Sequence, residues 1–141
     1  MTIMYKHILH ATDLQENHFK LCEKAAALAK YHHATLHLLH VIEIPQSLLL
    51  AQNLGFTELV KPAKTDAMTV LKALADAFNI PVKQTNVEIG SVKHHILEKA
   101  KTLKCQLIIL GNHTPNGIPA FLGNTTYGVM QHALCDVLTV R

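Results

Sequence analysis

Short apolar runs recur along this chain, each followed by a longer stretch with helical spacing, and this alternation limits the fold more than any other feature. The runs are HILHAT (7–12), ATLHLLHVI (34–42), VKQTNVEI (82–89), QLIIL (106–110) and DVLTV (136–140). Runs such as QLIIL leave no polar face, as expected of strands covered on both sides in a parallel sheet. Between the first two runs, Leu21, Cys22, Ala25, Leu28 and Ala29 share one helical face, with Asn17 as the expected N-cap. From residue 57 to 78, Leu59, Ala63, Ala67, Val70, Leu71, Leu74 and Phe78 keep the 3.6 period. Pro62 then belongs in the first turn of that helix or kinks its start. Ser91 can cap a third helix that turns Val92, Ile96, Ala100 and Leu103 inward, and Val129, Met130, Ala133 and Leu134 form a stripe over 125–134. Five strands alternating with four helices predict an α/β fold with a doubly wound parallel sheet and helices on both faces.

The 141 residues suffice for one domain over 1–141, and nothing resembling a linker or repeat divides them. Hydrophobic residues at 49% and charged ones at 16% exclude a disordered chain. A formal charge of +3 with no basic-aromatic cluster gives no footprint for nucleic acid. The start, MTIMYKHILHATD, lacks the apolar core and cleavage site of a signal peptide, and no run is long enough to span a bilayer, so a cytoplasmic location is expected. Three cysteines at wide spacing (Cys22, Cys105, Cys135) read as buried reduced thiols.

In doubly wound sheets ligands sit beyond the carboxyl ends of the strands, where strand order reverses. That points to Asp13, to residues 41–43, and to the segment from Gly111 onward. GNHTPNGIPAFLGNTT (111–126) sets Gly111 after a strand and Gly123 at a helix start, with Asn124, Thr125 and Thr126 as donors. A helix N-terminus can hold phosphate through backbone N–H groups alone. An ordinary glycine turn before a capped helix explains the same residues, and the absence of G-x-x-x-x-G-K-[ST] excludes a P-loop. Asp13 could accept bonds from a ribose hydroxyl or an adenine amine, or could simply start a turn. Eleven histidines show no metal-ligand spacing, so no metal site is expected, although His113 lies inside the candidate loop. No serine stands in G-x-S-x-G, and no Lys, Arg, Asp or Glu lies between Gly111 and Gln131 to polarise a phosphate or activate water, so no catalytic set is expected.

With Asp13 after the first strand, HVIE (40–43) ending the second, and LIILGNHTPNGIPAFLGNTTYGVMQHALCDVLTVR closing the chain, the sequence resembles the universal stress protein family over its whole length. Nucleotide-binding members carry G-x-x-G, eight or nine residues, then G-[ST]; here Gly111, His113 and Gly123 keep the frame, and Thr114 and Asn124 depart from it. The resemblance implies a Rossmann-like sheet of order 3-2-1-4-5, akin to the adenine nucleotide alpha-hydrolase folds. It also implies a homodimer that pairs through the last strand, and a crevice for ATP or AMP between strands one and four. By position, Thr12, Asp13 and Val41 would line the adenine and ribose, while Gly111, His113, Gly123, Asn124 and Thr125 would face ribose and phosphates.

The departures have a physical consequence. Threonine at 114 enters a left-handed conformation only at about 1–2 kcal/mol, and Pro115 and Pro119 each remove a backbone donor. This argues against a tight triphosphate cradle and for AMP, or a nucleotide held by base and ribose. The first reading is therefore a dimeric stress-response module that binds or regulates without catalysis. The second is a true ATP or AMP sensor, and the third a slow ATP hydrolase. The leucine-rich stretch at 45–56 would pack against the sheet or a second subunit, or serve as a lid.

Overall fold

The computed structural model describes residues 4–44, 56–111 and 124–141. Among them are β1 (His7–Ala11), α1 (His18–His32), β2 (Thr35–Glu43), α2 (Phe56–Ala77), a 3-10 turn (Val82–Gln84), β3 (Thr85–Gly90), α3 (Val92–Thr102), β4 (Leu107–Gly111), α4 (Asn124–His132) and β5 (Asp136–Val140). The strands form one parallel sheet of order β3-β2-β1-β4-β5, the order the family resemblance implies. Register follows the apolar pattern: Ile8 lies beside Leu36 on one side and Leu107 on the other.

Alternation along the strands divides the core into two layers. Ile8, Leu36, Leu38 and Ile109 pack under α1 and α2, against Cys22, Ala25, Leu71 and Leu74. Leu9, Leu39, Ile108 and Leu110 face the other way, against Ile96 and Ala100 of α3 and Val129 of α4. Among the described residues no helix is long and apolar enough to cross a membrane.

Three helices end in the same way without a glycine. His33, Asn79 and Lys104 adopt φ of 54°, 57° and 55°. The next residue in each case bonds back to a buried alanine carbonyl: Ala34 to Ala29, Ile80 to Ala75 and Cys105 to Ala100, each at 2.8 Å. This is the Schellman arrangement, in which an apolar residue past the cap enters the core and starts the path to the following strand.

Several sequence expectations shift. The third strand begins at Thr85, because residues 82–84 wind into the 3-10 turn behind Pro81. There the Gln84 amide donates to Leu36 O at 2.7 Å and the Thr85 hydroxyl to Val82 O at 2.6 Å. The second helix begins at Phe56, which moves Pro62 beyond its first turn. Asn17 caps α1 without a side-chain bond, whereas the Ser91 hydroxyl accepts from His94 N as expected. Val70, Met130 and Leu134 are exposed rather than inward, and Leu134 lies past the end of α4. The leucine-rich 45–55 stretch lies outside the described residues.

Candidate functional site

Strand order reverses between β1 and β4, and there the sheet opens a crevice of about 500 Å³ at the carboxyl ends of the strands. Its β1 wall is a self-braced turn. Thr12 N extends the ladder to Leu39 O at 2.8 Å. The Thr12 hydroxyl accepts from Leu14 N at 3.1 Å, and Asp13 Oδ1 accepts from Gln15 N at 2.9 Å, an Asx turn. Leu14 takes the left-handed φ of 56°, a conformation costing an apolar side chain about 1–2 kcal/mol, and core packing and these bonds hold it there. From β2, His40 donates Nδ1–H to Thr12 O at 2.8 Å, fixing the turn to the neighbouring strand.

Val41 and Glu43 line the crevice from β2, Val92 and Ile96 from α3, and Gly111 from β4. Opposite them stand Thr125 and Thr126 in the first turn of α4. Gly111 is explained by packing before any ligand is considered. A Cβ there would lie 2.6 Å from Leu21 Cδ1, so the Leu21 side chain of α1 keeps its place only because residue 111 has none. At the end of β3, Gly90 has φ +142° and lies under the His95 ring, which donates to Ile89 O at 3.1 Å.

The structure thus brings Thr12, Asp13, Val41, Gly111 and Thr125 into one crevice. Asn124 opens α4, while His113, Gly123, Thr114, Pro115 and Pro119 lie outside the described residues. His40, Gln15 and Leu21 belong to the crevice and were missed, whereas Glu43 ends the 41–43 stretch to which the topology pointed. His40 precedes Val41 at the strand end and could have been found by that position, whereas Gln15 and Leu21 arrive through the turn and the helix approach. Among the described lining residues the charged side chains are Asp13 and Glu43, both acidic. Beneath the floor of the sheet, His10 is fully buried, with Nδ1–H donated to Ile109 O at 3.1 Å. Its Nε2 has no hydrogen-bond partner. Burial pushes its pKa down, against the raising effects of that carbonyl and of Asp13.

An apolar-walled crevice with polar groups at one end can take a small planar ligand and orient it. Among the described residues no group of three His, Cys, Asp or Glu gathers to hold a metal ion.

A solved universal stress protein in complex with cAMP shares this fold at a TM-score of 0.71 over 98% of both chains, with 18% identity. Two Coxiella burnetii proteins, universal stress protein A homologs 1 and 2, are 31% and 35% identical to this chain. Homolog 1 aligns over 96% of both chains, and homolog 2 over 97% of this one and 95% of its own. Residues 4–141 match the Universal stress protein family as a whole, and the chain belongs to that family.

Proposed function

We propose that the chain is a cytoplasmic, dimeric stress-response module that acts by binding rather than catalysis, with an adenine-nucleotide crevice of reduced phosphate affinity. The observation that carries this is the charge of the crevice. Asp13 and Glu43 are its only charged groups among the described lining residues, and the segment from 112 to 123 contains no Lys or Arg. An adenine and ribose can use Asp13, the strand ends and the apolar wall of Val41, Val92 and Ile96. Each added phosphate brings negative charge toward two carboxylates with only helix N-H groups and hydroxyls to offset it. The crystal of a related protein with cAMP favours a ligand of this class.

Pairing of two copies is supported by β5. It stands at the sheet edge beside β4, and Leu138 on it is exposed, as suits a strand that gains a partner. Native mass spectrometry, followed by calorimetric titration with ATP, ADP and AMP, tests both parts. The expected result is a dimer that takes up AMP at least as tightly as ATP and loses it on Asp13→Ala. ATP binding about tenfold tighter than AMP, some 1.4 kcal/mol, would refute the charge argument. It would favour the second reading, a true ATP sensor.

A further inference from the structure

A second cavity, of about 490 Å³, lies between α3, α4 and the starts of β4 and β5, and both Cys105 and Cys135 line it. We propose that these two thiols form a reversible intramolecular disulfide under peroxide, making this cavity a redox modification site separate from the crevice.

Register brings the pair together. Leu107 lies beside Asp136, and Asp136 N donates to Gln106 O at 3.2 Å. Cys105 and Cys135 lie just before these two paired strands begin, and both line the same cavity. A disulfide requires α-carbons roughly 4.4–6.8 Å apart, and the pairing of Leu107 with Asp136 together with the Asp136–Gln106 bond keeps the two approaches side by side. Both side chains pack in the apolar layer under α3 and α4. The third thiol, Cys22, is fully buried in the opposite layer and so provides an internal control.

Chemistry follows from access. Cys135 is half-buried and stands next to the exposed Leu134, so peroxide reaches it first. Its thiolate attacks one peroxide oxygen, forming a sulfenic acid while the other oxygen leaves as water after protonation. The Cys105 sulfur then displaces hydroxide from that sulfenic acid. The S–S bond forms, and the Cys105 proton converts the hydroxide to a second water. Two thiols and one peroxide thus give one disulfide and two waters. Burial pushes Cys105 up to about 12, with the nearby Cys135 adding to the rise. Cys135 is raised as well, by burial and then by Asp136. The pair is therefore slow to react at neutral pH and responds to sustained exposure to oxidant.

Peptide mapping without reductant, on the full chain treated with hydrogen peroxide, tests the proposal. The expected product is a monomer-internal Cys105–Cys135 cross-link, lighter by about 2 Da and reversed by dithiothreitol. Its rate should rise roughly tenfold per pH unit between pH 7 and 8.5, following the thiolate. Cys22→Ser should leave the cross-link unchanged, and in urea the same treatment should scatter pairing among all three thiols. A cross-link to Cys22, a disulfide between copies, or sulfinic acids without any Cys105–Cys135 bond would each overturn it.

Discussion

Gly111→Ala separates the two reasons a glycine could stand at the end of β4. The new Cβ would meet Leu21 Cδ1 at 2.6 Å, so that methyl must retreat by about 1 Å to reach ordinary contact distance. Leu21 is only 4% exposed, and its retreat strains α1 against the sheet. Overpacking of this kind costs about 1–3 kcal/mol. Urea unfolding of nucleotide-free protein should therefore show a loss near 2 kcal/mol, a midpoint lower by roughly 1 M at an unchanged slope. Leu21→Ala alone should cost about 2–4 kcal/mol through the cavity it leaves. In that background Gly111→Ala should cost almost nothing, giving a coupling of at least about 1 kcal/mol between the two sites. A Gly111→Ala protein as stable as its parent, with no coupling to Leu21 but with nucleotide uptake abolished, would refute the reasoning. The glycine would then serve the ligand rather than the helix.

Two further outcomes follow from backbone strain and buried rings. Lys104→Gly should stabilise the chain by about 0.5–1 kcal/mol, raising Tm by roughly 2–4 °C in a thermal scan, because glycine holds the left-handed cap without strain and returns part of the gain as unfolded-state entropy. Asn79→Gly should gain less, since asparagine tolerates that conformation. Stability should also fall on mild acidification. His37 is pushed below its ordinary pKa by burial and then by the charge of His7, and His10 by burial. Neutral rings favour the folded state, so their contribution is complete above the unfolded value of about 6.5 and is lost as pH falls through the lowered folded values. The slope is at most about 1.4 kcal/mol per pH unit for each ring. Urea midpoints from pH 8 to 5 test this. A flat profile, or no flattening in His37→Asn, would count against it, because His7 Nδ1 and His37 Nε2 are 3.3 Å apart and share one hydrogen bond.

Most of the sheet was legible because burial on both faces leaves unbroken apolar runs, and β1, β2, β4 and β5 coincide with them to within a residue or so. The start of β3 was not. Val82 and Val87 look alike in sequence, but Pro81 and the Gln84 bond to Leu36 wind residues 82–84 into a turn. The helix ends at His33 and Lys104 carry no glycine, so local propensity gave no sign of left-handed caps. Those caps are imposed by alanine carbonyls that need a donor once buried. In the crevice, Asp13 and Val41 were found because the topology dictates where strands end. Leu21 was missed because only the close approach of α1 brings it there.

The same bonds argue for how affinity is distributed across the crevice. On the β1 side the polypeptide has already fixed its geometry: Thr12 and Asp13 brace the turn, Leu14 holds a strained conformation, and His40 fastens the carbonyl from the next strand. A wall built before the ligand arrives requires little ordering on binding, which lowers the entropic cost there. A carboxylate accepts up to about four hydrogen bonds, so Asp13 can brace the turn and still accept from a sugar hydroxyl. On the α4 side the described lining residues offer hydroxyls and no Lys or Arg, so in the proposed function selectivity would rest on those hydroxyls and on helix N–H groups facing two acidic side chains. On the proposed reading, binding free energy would accumulate on the base and ribose, and a lengthening phosphate chain would add repulsion faster than it adds hydrogen bonds. Replacing Glu43 by Gln should therefore improve ATP uptake more than AMP uptake, and calorimetric titration showing equal gains for both would contradict this division of the site.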